Sequence, residues 1–199
     1  MILRSAVLSR HAWIDHGFGT RHAPTTQDGM ATLKQIHSAI VLDAGASVCV
    51  GEGDALVTSE KDLPVSVRTA DCYPILLADT RTHMVAAVHA GWRGTAAAIV
   101  MAAIVKMNSR PDEVVAAIGP GIGVCCYEVG EEVGRLFGLE SRGKINLAQA
   151  NRALLLDAGL PEENIEVLGG CTRCDAERFH SFRRDGDRAG RMISYIRSL

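Results

Sequence analysis

Three segments place a metal-type donor where a strand-like run begins or ends: His37 in LKQIHS, Cys72 in RTADCYP and His89 in AVHAGWRG. Two imidazoles and a thiolate suit Zn²⁺, and three protein ligands with a fourth position open is the arrangement of catalytic rather than structural zinc. Copper is the other metal such donors take. The spacing between the three is long, so no short motif fixes their geometry, and any one of them alone also fits a packed core side chain. Asp71, next to Cys72, adds an acid at a strand end, where α/β sheets collect their ligands.

The HAGWRG segment adds a second element of chemistry. His89 ends a strand-like run, Gly91 and Gly94 allow a tight turn and close backbone approach, and a helix is expected to start near Thr95. Arg93 offers a planar fork of donors to a phosphate or carboxylate; its other reading is a buried residue paired with Asp71. Trp92 reads as core packing. In IGPGIGVCCYEVG, Pro120 and the wrong spacing exclude a dinucleotide fingerprint for Gly119, Gly121 and Gly123, leaving a rigid pocket-lining loop. Cys171 and Cys174 form a C-x-x-C in CTRCDAERFHSFRRDG. With Cys125 and Cys126 vicinal rather than spaced, no four-cysteine zinc site is expected, and the C-x-x-C reads as structural rather than redox-active. Arg183 and Arg184 form either a solvated turn or an anion clamp.

These residues need elements to hold them. LPVSVRT, PILLADT and MVAAVHA are apolar or β-branched runs between turn signals and predict buried strands. TAAAIVMAAIVKMNS predicts one interior helix, VVAAIGP a strand stopped by Pro120, and EVGEEVGRLFG a helix ending near Gly138. NLAQANRALLLDAG predicts a helix capped by Asn146 and closed by Gly159. NIEVLGG predicts a strand, and RMISYIRSL fits a strand or an amphipathic helix. Ala23 to Thr32 predicts a mobile loop, and Gly45 to Asp54 a second loop-rich region. Strands and helices of these lengths predict a layered α/β domain, with residues 1–199 as one unit.

The chain has 199 residues, 47% of them hydrophobic, and a formal net charge of -2. That balance, with no run of like charges, argues against nucleic acid or anionic lipid as partner, so an anionic ligand must be caught locally. Arg4 and Arg10 interrupt the first residues before a signal-peptide core could form, and no apolar run reaches the ~20 residues of a membrane span. A cytoplasmic location is the expectation, as a monomer or weak homodimer. The six cysteines do not make a disulfide scaffold in a chain of this size.

Taken together, HGFGTRH, KQIHS, GDALVTS, TADCYPILL, VHAGWRGT, AAIGPGIGVCCYEVG and CTRCDAERFHSFRRDG followed by GRM resemble the YfiH-like family, also called peptidoglycan editing factor or polyphenol oxidase (laccase-like). That family includes purine nucleoside phosphorylases. The pieces run in family order from His16 to Met192. The resemblance implies mixed β-sheets with helices, similar to the catalytic domain of cytotoxic necrotizing factor toxins, and a metal held by His37, Cys72 and His89. One departure is a short segment, APTTQDGMATL, between His22 and Lys34, where family members usually carry a longer one.

The implied reaction is phosphorolysis of adenosine- or inosine-type nucleosides, with adenosine deamination as a companion activity. A metal-bound water could attack a purine ring, whereas phosphorolysis uses phosphate as nucleophile at the ribose carbon. Cys72, His89, Asp71 and Arg93 are the candidates for chemistry; Arg21 and Gln35, from the matched motifs, join Arg93 and Gly94 as candidate substrate contacts. The nucleobase-deaminase signature, H-x-E with P-C-x-x-C, is absent. Multicopper oxidation needs about ten histidines, largely in H-x-H pairs; seven histidines and no H-x-H argue against it. The alternatives are a cysteine hydrolase or amidase acting on a cell-wall precursor, with Cys72 as nucleophile and His89 as base, and a metal-binding module without turnover.

Overall fold

The computed structural model describes residues 1–45 and 49–199. The chain opens with strand β1 (Ile2–Leu3), a helical turn α1 (Ala6–Ser9) and β2 (Ile14–Gly19). Four short strands follow: β3 (Thr32–Lys34), β4 (Val41–Asp43), β5 (Cys49–Glu52) and β6 (Ala55–Thr58). Next come β7 (Val65–Thr69), β8 (Tyr73–Asp79) and β9 (Val85–Ala90), then helices α2 (Trp92–Ala96) and α3 (Ile99–Lys106). The remainder comprises β10 (Val114–Ile118), β11 (Glu128–Val129), α4 (Glu131–Arg135), β12 (Gly143–Lys144), α5 (Leu147–Asp157), β13 (Ile165–Val167), α6 (Phe182–Asp185) and β14 (Met192–Ser198).

Two sheets organise the molecule: a six-stranded sheet ordered β13-β10-β8-β9-β6-β4 and a four-stranded sheet ordered β1-β2-β14-β7. The alternation of side chains along a strand sends neighbouring residues to opposite faces. Accordingly Ile75 and Leu77 of β8 pack with Ile99, Val100, Ala103 and Leu155 of the helices. Leu76 and Ala78 face the other way, against Phe18, Val65, Val67 and Ile196 of the small sheet. The order is therefore small sheet, large sheet, helices. Both faces of β8 are buried, which is why it reads as an unbroken apolar run.

The three sharp strands lie where the sequence put them, and the ambiguous last segment is a strand: β14 sits between β2 and β7. Asn146 caps α5 as expected, its side chain accepting from the Gln149 N–H at 3.0 Å, and Gly159 follows the helix at φ +101. Three expectations need correction. The interior helix is two helices, because Ala98 adopts a left-handed conformation (φ 54, ψ 43) between α2 and α3. In EVGEEVGRLFG only Glu131–Arg135 is helical; Glu128 and Val129 instead pair antiparallel with Lys144 and Gly143 in a two-stranded sheet. The predicted Ala23 to Thr32 loop is tied down, since the Gln27 side-chain amide donates to Ser66 Oγ at 2.6 Å and Ala31 bridges Val65. Of the second loop-rich region, residues 46–48 lie outside the described residues, while Cys49–Glu52 pairs in parallel with β3.

Candidate metal centre

The centre forms at one end of the large sheet, where β7 passes from the small sheet through Ala70-Asp71-Cys72 into β8. Antiparallel pairing sets Tyr73 opposite Ala90 and Pro74 opposite His89, so Cys72 and His89 meet at the same sheet end. His37 arrives from the loop before β4. Both His37 (φ 60) and Asp71 (φ 89) hold left-handed backbones, a strain of about 1–3 kcal/mol per residue that collects at functional sites.

The donor atoms of His37, Cys72 and His89 all lie within 4.8 Å of one another. Cys72 Sγ is 3.9 Å from His37 Nε2, and the two imidazoles meet edge-on with centroids 4.9 Å apart. Soft sulfur and two imidazole nitrogens with an exposed side at His37 fit a zinc-type ion with an open position. Gly91 makes room: a Cβ there would stand 3.0 Å from Cys72 Sγ and 3.2 Å from His37 Cδ2.

Asp54 governs this set, although in sequence it stands out only as a member of GDALVTS. It is fully buried. Its Oδ1 bonds His89 Nδ1 at 2.7 Å and accepts from the His37 N–H at 3.0 Å; its Oδ2 accepts from the Ser38 hydroxyl at 2.7 Å. One carboxylate thus orients one imidazole and fixes the loop carrying the other, a support that commonly raises ligand basicity. Burial favours neutral Asp54, but the bonds from His89 and Ser38 outweigh it and bring the carboxyl down to about 2. Burial likewise opposes a charge on His89, yet Asp54 and Cys72 hold it at about 9. For Cys72, burial raises the thiol and the two histidines bring it to about 7.

The centre opens into a cavity of about 680 Å³, within the range of small-molecule sites. Trp92, Tyr127 and Phe182 supply flat apolar surface there, and Arg68, Arg183 and Arg191 supply positive charge. Gln35 also lines it and clasps Arg68 at two points, donating to its carbonyl and accepting from its N–H, each at 2.8 Å.

Asp71 lines the cavity, but its carboxylate is engaged: Oδ1 accepts from the Thr172 hydroxyl at 2.6 Å and Oδ2 from the Arg183 N–H at 2.7 Å. Arg93 is neither buried nor paired with Asp71. Its guanidinium lies 4.2 Å over the Trp92 ring, outside the cavity lining, because α2 starts at Trp92 rather than near Thr95 and successive residues turn by about 100°. Gly94 packs against the Ser38 carbonyl, which a Cβ would approach to 3.1 Å. Arg21 reaches the Ala176 carbonyl instead of the cavity. The RR pair divides: Arg183 lines the cavity with its guanidinium 5.0 Å over Tyr127, while Arg184 donates to the Thr172 and Phe179 carbonyls, each at 2.9 Å. Lys34, which also lines the cavity and donates to Glu52 at 2.7 Å, was missed with Arg68 and Arg191 because isolated basic residues carry no sequence signal of a shared wall.

The spacing predicts no four-cysteine zinc site, yet the fold brings Cys125, Cys126, Cys171 and Cys174 together with all four sulfurs within 4.8 Å of one another. Sequence spacing could not show it, because the vicinal pair sits on a turn that swings both thiols toward a distant loop.

The layered α/β scaffold thus carries, at one sheet end, a three-donor group that could hold a metal ion. The sequence model described as "Multi-copper polyphenol oxidoreductase laccase" matches residues 19–198, and the chain belongs to that family. A Deinococcus radiodurans protein named purine nucleoside phosphorylase is 42% identical over 183 residues, covering 85% of this chain and 70% of that one. A prokaryotic protein named adenosine deaminase RL5 is 36% identical over 196 residues, covering 85% and 75%. YlmD of Geobacillus stearothermophilus superposes with a TM-score of 0.86 at 25% identity, covering 99% of this chain and 96% of that one. The YfiH-type fold expected from the motifs is therefore the observed one.

Proposed function

We propose that the chain is a metal-dependent purine nucleoside enzyme that cleaves adenosine- or inosine-type nucleosides with phosphate and deaminates adenosine in the same pocket. The observation carrying this reading is the convergence of His37, Cys72 and His89 beside a cavity with both aromatic and cationic walls. The names of the relatives support it.

Zinc held by the three donors would supply Lewis acidity and a water of lowered pKa. The chain's own residues do the rest. Trp92, Tyr127 and Phe182 offer faces for a purine. Arg68, Arg183 and Arg191 take the phosphate by charge-assisted hydrogen bonds, the role that the sequence had suggested for Arg93. In phosphorolysis an oxygen of hydrogen phosphate bonds to the ribose anomeric carbon as the carbon–nitrogen bond breaks, and the departing base takes the proton that the phosphate gives up. Asp54 keeps His89 Nδ1 occupied and so leaves Nε2 for the centre; Asp71 positions Arg183 and the Cys72 turn.

Multicopper oxidation, which the family description names, lacks donors: among the described residues His37 and His89 are the histidines found in a metal-type group. A cysteine hydrolase draws support from the Cys72 thiol at about 7 near His89, but a thiolate committed to zinc is a poor nucleophile. The test is incubation of metal-analysed protein with inosine, adenosine and phosphate, followed by product chromatography. Phosphate-dependent release of hypoxanthine and a ribose phosphate is expected. A fully metallated protein that turns over neither nucleoside refutes the reading.

A further inference from the structure

Two loops far apart in sequence are zipped together beside the cavity. Gly121 bridges Cys171 in parallel, and the Thr172 N–H donates to the Gly121 carbonyl at 3.0 Å. One loop then turns through residues 124–126, with the Cys126 N–H donating to the Gly123 carbonyl at 2.9 Å; the other turns through its C-x-x-C, with the Asp175 N–H donating to the Cys171 carbonyl at 3.0 Å. These turns point four thiols at one spot.

The sulfur separations fit a shared ion. Cys174 Sγ lies 3.6 Å from Cys125 Sγ and 3.3 Å from Cys126 Sγ. A tetrahedral ion with metal–sulfur bonds of ~2.3 Å sets sulfurs about 3.8 Å apart, whereas a disulfide needs ~2.05 Å. All six cysteines are free thiols. The Gly123 N–H donates to Cys171 Sγ at 3.2 Å, the kind of bond that favours a thiolate. Gly123 also keeps space open: a Cβ there would stand 3.2 Å from Cys125 Sγ and 3.4 Å from Cys171 Sγ. Cys125 and Cys174 are exposed, which gives an ion a way in.

We propose that Cys125, Cys126, Cys171 and Cys174 form a second metal site, a closed tetrathiolate holding a divalent ion of the zinc type that clips the two loops together. Four thiols give up four protons as the ion takes four thiolates, with no change of oxidation state. Four protein sulfurs leave no open position, so the site is structural rather than catalytic. Its position gives it a purpose. Tyr127 follows Cys126 directly, Thr172 inside the C-x-x-C holds Asp71, and the second loop leads to Phe182 and Arg183, so the clip fixes one wall of the nucleoside cavity.

The test counts and characterises zinc in the full chain. Wild-type protein is expected to carry two ions, C171S/C174S one, and H37A/C72S one whose X-ray absorption shows four sulfurs at ~2.3 Å. Folded H37A/C72S with no zinc, or with zinc in a mainly nitrogen and oxygen shell, overturns the proposal. A second readout needs no variant: zinc should slow alkylation of exposed Cys125 and Cys174 in the wild type at least tenfold, and a chelator should restore it. Equal alkylation with and without zinc, or a disulfide among these four in freshly reduced protein, refutes the site.

Discussion

Asp54 makes the same carboxylate serve as hinge pin and electrostatic partner, binding the His37 loop through backbone N–H groups and His89 through Nδ1. Asp54→Asn keeps the shape but loses the charge, and zinc affinity of the His37/Cys72/His89 centre is expected to fall about 10–100-fold, as for other groups that orient metal ligands; chelator competition on C171S/C174S protein isolates that centre. Because protons compete with metal, affinity should climb from roughly pH 6 to 9, steeply up to about 7 where Cys72 and His89 both lose protons, and less steeply toward about 9 where His89 alone does. In metal-free protein the signs differ between partners. His89, raised to about 9, stabilises fully below 6.5, and that contribution fades as pH rises through 9. Asp54, lowered to about 2, stabilises above 3.8 and loses that as pH falls through 2. Cys72, lowered to about 7 from an ordinary thiol value of 9.0, gains stability between about 7 and 9 and offsets the His89 loss there, so the melting temperature should fall on the acid side and stay nearly level on the alkaline side, where Cys72→Ser should uncover a decline. The convergence of His37, Cys72 and His89 was legible in the sequence because histidine and cysteine at strand ends have few other uses in such company. Asp54 was not legible, since a buried acid announces itself only through the partners that folding brings.

At the scale of elements, apolar runs marked the strands well, because burial on both faces of β8 and β9 leaves no polar interruptions. Breaks within helices were hidden: nothing in TAAAIVMAAIVK signals that Ala98 turns left-handed, a conformation imposed by packing α2 against the site and α3 against the sheet. An alanine there costs about 1–2 kcal/mol, while glycine loses about 0.4–1 kcal/mol through a freer unfolded chain. Ala98→Gly is thus expected to stabilise by about 0.5–1 kcal/mol in chemical denaturation; destabilisation would mean that the methyl packs better than its backbone suffers. The turn before α2 offers a contrast. Gly91 has an extended backbone (φ -79, ψ 177) that any residue adopts, so Gly91→Ala acts by contact alone. Its Cβ presses on Cys72 Sγ and His37, and zinc affinity should drop while the melting temperature of metal-free protein stays near wild type.

For the whole molecule, the large sheet is shared: its two faces belong to two apolar clusters, and neither cluster can form without it. We expect one cooperative unfolding transition for residues 1–199, with coincident far-ultraviolet and tryptophan signals; two separated transitions would divide the chain. Leu77→Ala, at a fully buried position in the middle of β8, should cost about 2–5 kcal/mol and lower the midpoint by ~2–4 °C per kcal/mol. No helix among the described residues is long and apolar enough to cross a membrane. The place of β14 between β2 and β7 has a consequence for synthesis on the ribosome. Residues 192–198 are translated after every strand they join, so β2 and β7 must wait, side by side and unbridged, until the chain returns to fill the gap. Translation speed and chaperone cover over that interval should then influence how much newly made protein closes the small sheet.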